Sequence, residues 1–68
     1  LLNTFFKLIK AGFAQKRKTL RNSLSSGLQI SSQVAEGLLA SAQIESMRRA
    51  ETLSIEEWKR LCQIYLQA

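Results

Sequence analysis

Lys16, Arg17, Lys18 and Arg21 place four cations within six residues, and the first acid of the chain is Glu36. Ammonium and guanidinium groups at this density suit one chemistry above others, the neutralisation of closely spaced anions such as phosphates. A guanidinium grips phosphate through two parallel hydrogen bonds, while lysine acts as a mobile point charge. Each phosphate neutralised releases counterions, so affinity is expected to fall steeply with salt. Lys7 and Lys10 extend the same charge toward the N-terminus. Residues 22–47 hold only Glu36 and Glu45, so the net charge of +5 originates in the first third of the chain. The plain alternative for any charge run is a solvated helix face. Here no acid appears in the first 35 residues, which favours an anionic partner over that alternative. A second charged segment, Arg48-Arg49-Ala50-Glu51-Thr52, offers Arg48 as a further phosphate-facing candidate. Glu51 is expected to pair with Arg49 or with a base of the first cluster, in an internal ion pair that fixes the segment before the last helix.

Other chemistries find little to work with. The chain has no histidine and one cysteine, which excludes a Cys/His zinc site and an internal disulfide. Cys62 falls on an apolar helical stripe and reads as a core residue. Five serines between Ser23 and Ser32 read as caps and turns rather than nucleophiles. No glycine-rich phosphate loop is present, and the carboxylates read as caps or solvated groups, so no catalytic residue, cofactor site or metal site is assigned. No apolar run approaches the ~20 residues of a membrane span. An opening on Leu1-Leu2-Asn3 rather than methionine suggests a piece of a longer protein.

The elements that must position these charges are helical. Proline is absent, glycine is scarce, and 46% of residues are apolar, which is too high for a disordered tail. The periodicity predicts an all-α, compact bundle of about four helices over roughly 4–15, 18–25, 32–41 and 54–67, forming one domain over 1–68. In the first, Phe5, Phe6, Ile9 and Phe13 share an arc, with Lys7 roughly opposite, Lys10 flanking, and Gly12 at the arc's edge where a neighbour could approach. Continuing that helix to Leu24 would bury Lys16, so a break is expected around 15–18, with the basic cluster at the junction. Leu20 and Leu24 share a face of the second helix, which Ser25-Ser26-Gly27 should end, with Gly27 in the left-handed conformation. Ser31 or Ser32 caps the third helix, whose buried side is Val34, Ala35, Leu38, Leu39 and Ala42, with Gly37 marking close packing. Ser54-Ile55-Glu56-Glu57 is a capping box for the fourth, with Leu53 and Trp58 as its staple. Ile55, Trp58, Leu61, Cys62, Tyr65 and Leu66 form its stripe and Ile64 falls outside it. Glu56 and Arg60 are spaced for an ion pair worth about 0.3–0.5 kcal/mol.

Two segments together carry a family resemblance. Phe13-Ala14-Gln15-Lys16-Arg17-Lys18-Thr19-Leu20-Arg21-Asn22-Ser23-Leu24 and Arg49-Ala50-Glu51-Thr52-Leu53-Ser54, in this order and separation, resemble the C-terminal domain of the ribosomal RNA small-subunit adenine dimethyltransferases, the kasugamycin-resistance family. The resemblance covers nearly the whole chain. It implies a parent with an N-terminal, S-adenosylmethionine-binding Rossmann-like domain that methylates N6 of two adjacent adenosines near the 3′ end of small-subunit rRNA. That domain is not in these residues, so the segment itself would not be an enzyme. Its implied role is to grip rRNA and position the enzyme on the small subunit, in the cytoplasm, as a monomer in contact with its own catalytic domain. Gln43 stands where the family often has glycine, and Glu45-Ser46 where it often has Asp-Pro, so the 43–48 turn is expected to differ locally.

Two other classes compete. Residues 4–21 alone look like a cationic amphipathic helix that could lie on an anionic membrane or a partner helix. A DNA-binding helical module is the third, since phosphate attraction alone does not discriminate nucleic acids.

Overall fold

Apolar residues recurring every three or four positions fold the chain into four helices. The computed structural model describes residues 2–15 and 17–67. The helices are α1 (Leu2–Phe13), α2 (Leu20–Leu28), α3 (Ser32–Ser41) and α4 (Ile55–Gln67), with a 3-10 turn at Ala50–Thr52 before the last. The all-α expectation holds, and no strand occurs among the described residues. Each helix packs on its chain neighbours, and α4 closes the ring against α1. Leu8, Leu20, Leu24, Leu39 and Leu61 are fully buried at the centre, with Trp58, Ile44 and Cys62 around them. The radius of gyration is 10.1 Å, close to the about 11 Å expected of a globule this size.

The break between α1 and α2 falls where burial of a cation would otherwise be forced, although Lys16 itself lies outside the described residues. The face that α1 buries differs from the expected one. Leu8, Ala11 and Gly12 are buried and Phe5 and Ile9 pack beside them, while Phe6 and Phe13 are exposed. At 100° per residue this rotates the face by about a quarter turn from the Phe5–Phe13 arc. The cause is close approach by small residues. An added Cβ on Gly12 would lie 2.6 Å from the Trp58 ring, and one on Gly27 would lie 2.6 Å from the Ala11 side chain and 2.8 Å from its Cα. Small residues thus set the α1–α2 and α1–α4 contacts, and hydropathy does not weight them. Ser23, buried in α2, donates to the carbonyls of Gly12 at 2.9 Å and Ala11 at 3.3 Å. Its single hydroxyl hydrogen is directed mainly at the shorter contact, the Gly12 carbonyl at the end of α1.

Helix α2 runs past Gly27 to Leu28. The left-handed residue is Gln29, at φ 58°, not Gly27. The stop is made by Ser25, whose carbonyl accepts from Ile30 N at 3.0 Å while its hydroxyl donates to the Ile30 carbonyl. Ser31 caps α3, accepting from Val34 N at 3.1 Å. Ala35, Leu38, Leu39 and Ala42 are buried as expected, but Val34 is exposed. Gly37 has nothing within 4 Å of an added Cβ, so it marks no close packing. After α3, Gln43 takes φ 61° and Ile44 N donates to the Leu39 carbonyl at 2.8 Å. This is the usual two-bond helix stop, made with glutamine where glycine costs least.

The capping box forms at α4: Glu57 N donates to Ser54 Oγ at 3.2 Å, and Ser54 N donates to Glu57 Oε1 at 2.9 Å. Leu53 and Trp58 both reach the core. The stripe is narrower than its spacing implies, because Ile55 and Leu66 are exposed, whereas Ile64 packs against the core. The Glu56–Arg60 pair does not form. Arg60 Nε instead donates to the Ala42 carbonyl at 2.7 Å, tying α4 to the end of α3.

Candidate nucleic-acid interface

Three elements meet at the basic region. Lys10 lies in the last turn of α1, where a cation is favoured by the carbonyl end of the helix. Arg17 and Lys18 occupy the turn that follows, and Arg21 lies in the first turn of α2. The 46–49 segment is stitched to the same place. Leu20 N donates to the Arg48 carbonyl at 2.7 Å, and Arg21 N donates to the Ser46 carbonyl at 3.2 Å. Thr19 makes no side-chain cap, so these two carbonyls satisfy leading amides of α2 that the helix itself leaves open. A contact between segments at least 25 positions apart in the sequence therefore brings the second basic run beside the first.

The individual charges are used unequally. Lys7, Lys10, Arg17 and Lys18 are exposed, and no carboxylate pairs with them among the described residues. The quarter-turn rotation of α1 puts Lys10 opposite its buried face, not beside it. Arg21 is half-buried and its Nη1 lies 3.3 Å from Glu36 Oε2, with both groups open to solvent. Exposed pairs of this kind contribute about 0–1 kcal/mol, so Glu36 tempers Arg21 without removing it. Lys16 lies outside the described residues.

The internal ion pair expected of Arg49 is made by Arg48. The Arg48 guanidinium forms a two-armed ion pair with Glu57, Nη1 on Oε2 and Nη2 on Oε1 at 3.1 Å, and donates through Nε to the Thr52 hydroxyl at 3.3 Å. The hydrogen bond to Glu57 outweighs the opposing effect of burial and raises the Arg48 pKa further above its already basic value. On the other side, the bond from Arg48 and then that from the Ser54 amide hold Glu57 at about 2, well below the usual carboxylate range. The ion pair that fixes the segment before α4 therefore exists, but its members are Arg48 and Glu57, not Arg49 and Glu51. Arg49 is exposed, with no carboxylate partner among the described residues, and flanks the α2 start beside Arg17–Arg21. No local signal in the sequence separates two adjacent arginines, so the exposure of Arg49 and the pairing of Arg48 were not legible there.

Most apolar residues of α1 are taken up by the core, with Leu2 and Phe6 left exposed. Leu8, Ala11 and Gly12 are covered by α2 and α4, and Phe13 stacks on Trp58 with ring centroids 6.0 Å apart. No helix among the described residues is long and apolar enough to cross a membrane. The amphipathic-helix alternative has no support from this packing.

Comparison with known proteins gives a consistent set of relatives. The chain is 57% identical to Ribosomal RNA small subunit methyltransferase A of Dehalococcoides mccartyi over 63 residues, 93% of this chain and 22% of the relative. It is 56% identical to the protein of the same name from Desulforapulum autotrophicum, over 82% of this chain and 20% of the relative. The corresponding protein of Desulfitobacterium hafniense is 44% identical, over 93% of this chain and 23% of the relative. The chain thus spans about a fifth of the length of the curated relatives it matches. No family model matches the chain, and no solved structure matches it significantly.

Proposed function

Because the chain belongs to the ribosomal RNA small subunit methyltransferase A family, as a C-terminal segment of it, we propose that this helical unit binds small-subunit rRNA and holds the rest of such an enzyme on its substrate. The observation that carries the reading is the turn at Arg17 and Lys18. Both cations are exposed and free of carboxylates among the described residues, and the turn is anchored by the end of α1 on one side and the start of α2 on the other. Lys7 and Lys10 on α1 and Arg49 on the adjoining turn extend the surface. Arg21 contributes in competition with Glu36, and Arg48 supports the surface from behind. Lys16, by its place in the same run, belongs to the proposed contact.

The whole enzyme is read as a cytoplasmic, monomeric adenine dimethyltransferase acting near the 3′ end of small-subunit rRNA, with this unit packed against its catalytic domain. S-adenosylmethionine would be its methyl donor, but these residues do not fit that molecule. The groove of about 430 Å³ between α1 and α4 is lined by Leu2, Phe5, Lys59, Cys62 and Gln63. It offers no carboxylate to hold ribose hydroxyls, and the chain has no glycine-rich turn beside it. No step of methyl transfer is therefore assigned to this chain.

The test is charge reversal at the turn, Arg17→Glu with Lys18→Glu, measured as binding to a transcript of the 3′ region of small-subunit rRNA. Arg21 is left intact because reversal there would set two acids together with Glu36. Binding should weaken by at least about tenfold at physiological salt, with the thermal midpoint unchanged. Equal binding by a folded variant refutes the proposal. A duplex DNA of the same length, run at matched salt, separates rRNA recognition from general phosphate attraction.

A further inference from the structure

Arg48 is the cation whose use is least expected from its type. Besides the two-armed pair with Glu57, its guanidinium reaches both the hydroxyl and the carbonyl of Thr52 in the 3-10 turn. Its own carbonyl and that of Ser46 hold the first amides of α2. One residue therefore joins the start of α4, the 3-10 turn and the start of α2. These four bonds engage four of the five guanidinium N–H groups within the protein, so one Nη1 donor is left for phosphate. Arg49, the next residue, points its charge to solvent.

We propose that Arg48 is a positioning residue: with Glu57 it clamps the 46–49 turn, so that Arg49 and the Arg17–Arg21 cluster meet phosphate as one rigid surface. The inference rests on the RNA-binding reading above. Its physical content is preorganisation. Cations already fixed in register lose less conformational freedom on binding than cations on two independent segments.

The substitution Glu57→Gln separates this role from direct phosphate contact by the sign of its effect. Glutamine keeps an oxygen for the Ser54 amide, so the cap of α4 survives. It removes a negative charge and frees the Arg48 guanidinium, and electrostatics alone then predicts tighter RNA binding. The clamp predicts weaker binding. Two readouts are needed: amide hydrogen exchange of Leu20 and Arg21 in the free chain, and affinity for the transcript of the 3′ region of small-subunit rRNA at matched salt. Exchange at those two amides should quicken by about tenfold, with Leu39 and Leu61 unchanged, and affinity should fall by about three- to tenfold. Unchanged exchange at Leu20 and Arg21 overturns the clamp, as does equal acceleration at Leu39 and Leu61, which would mark general destabilisation. Quickened exchange with equal or tighter RNA binding overturns its link to recognition. If neither form binds the transcript, the functional reading fails, and the exchange data still decide whether the clamp exists.

Discussion

Glu57 accepts from the Ser54 amide that begins α4 and from the Arg48 guanidinium that arrives from the preceding turn. Both bonds are stronger to the ionised carboxylate than to its protonated form, which is why its pKa sits at about 2. A carboxylate whose folded pKa is depressed stabilises the fold fully above its unfolded value. That contribution is lost as pH falls toward the folded value. The thermal midpoint should therefore drop between about pH 5 and pH 2. In Arg48→Met, where the principal cause of the shift is removed, the acid limb should be visibly flatter in melts collected across that range. An unchanged limb would mean that other carboxylates set the acid response. The capping half of this arrangement was legible in the spacing of Ser54 and Glu57. The clamping half was not, because Arg48 and Glu57 approach only through the path of the turn between them.

At the scale of the helix, the three glycines divide by what stands opposite them. Gly12 and Gly27 face the Trp58 ring and the Ala11 backbone at under 3 Å from an added Cβ, and Gly37 faces open space. Gly37→Ala should raise stability by about 1 kcal/mol, since alanine favours the helix and meets nothing. That corresponds to a thermal midpoint about 4–8 °C higher for a chain this small. Gly12→Ala carries the same helical gain but must displace a buried indole, at an overpacking cost of about 1–3 kcal/mol. It should lower the midpoint. Calorimetry on the two variants checks both, and a rise in each would contradict the packing of α1 on α4. This is also where hydropathy misled the reading of α1. Its arc was drawn through the aromatic residues, whereas the closest contacts are made by Ala11 and Gly12. Shape complementarity between small residues chose the face, and the phenylalanines were left at its margin.

For the molecule as a whole, the proposed RNA binding rests on the placement of charge. The α1–α2 turn and the start of α2 adjoin the 46–49 turn, and two of the acids lie there too, Glu36 paired with Arg21 and Glu57 with Arg48. Binding to RNA should show a steep fall of log affinity with log salt, and Arg49→Gln should lessen that slope by about 0.7–0.9. The thermal midpoint should not move, since the Arg49 side chain makes no bond to the protein among those described. Titrations at several salt concentrations check this, and an unaltered slope would remove Arg49 from the surface. Helix number, the break before α2, the cap of α4 and the excess of positive charge near the N-terminus were all determined by the chain read in order. Each depends on residues within a turn or two of one another, where periodicity and hydrogen-bond reach are local quantities. Tertiary structure alone decided which face α1 buries, that Arg60 bonds α3 instead of Glu56, and which of two adjacent arginines faces solvent. Those outcomes depend on what lies across the gap between helices, and a small side chain or a free carbonyl there leaves no trace in local spacing.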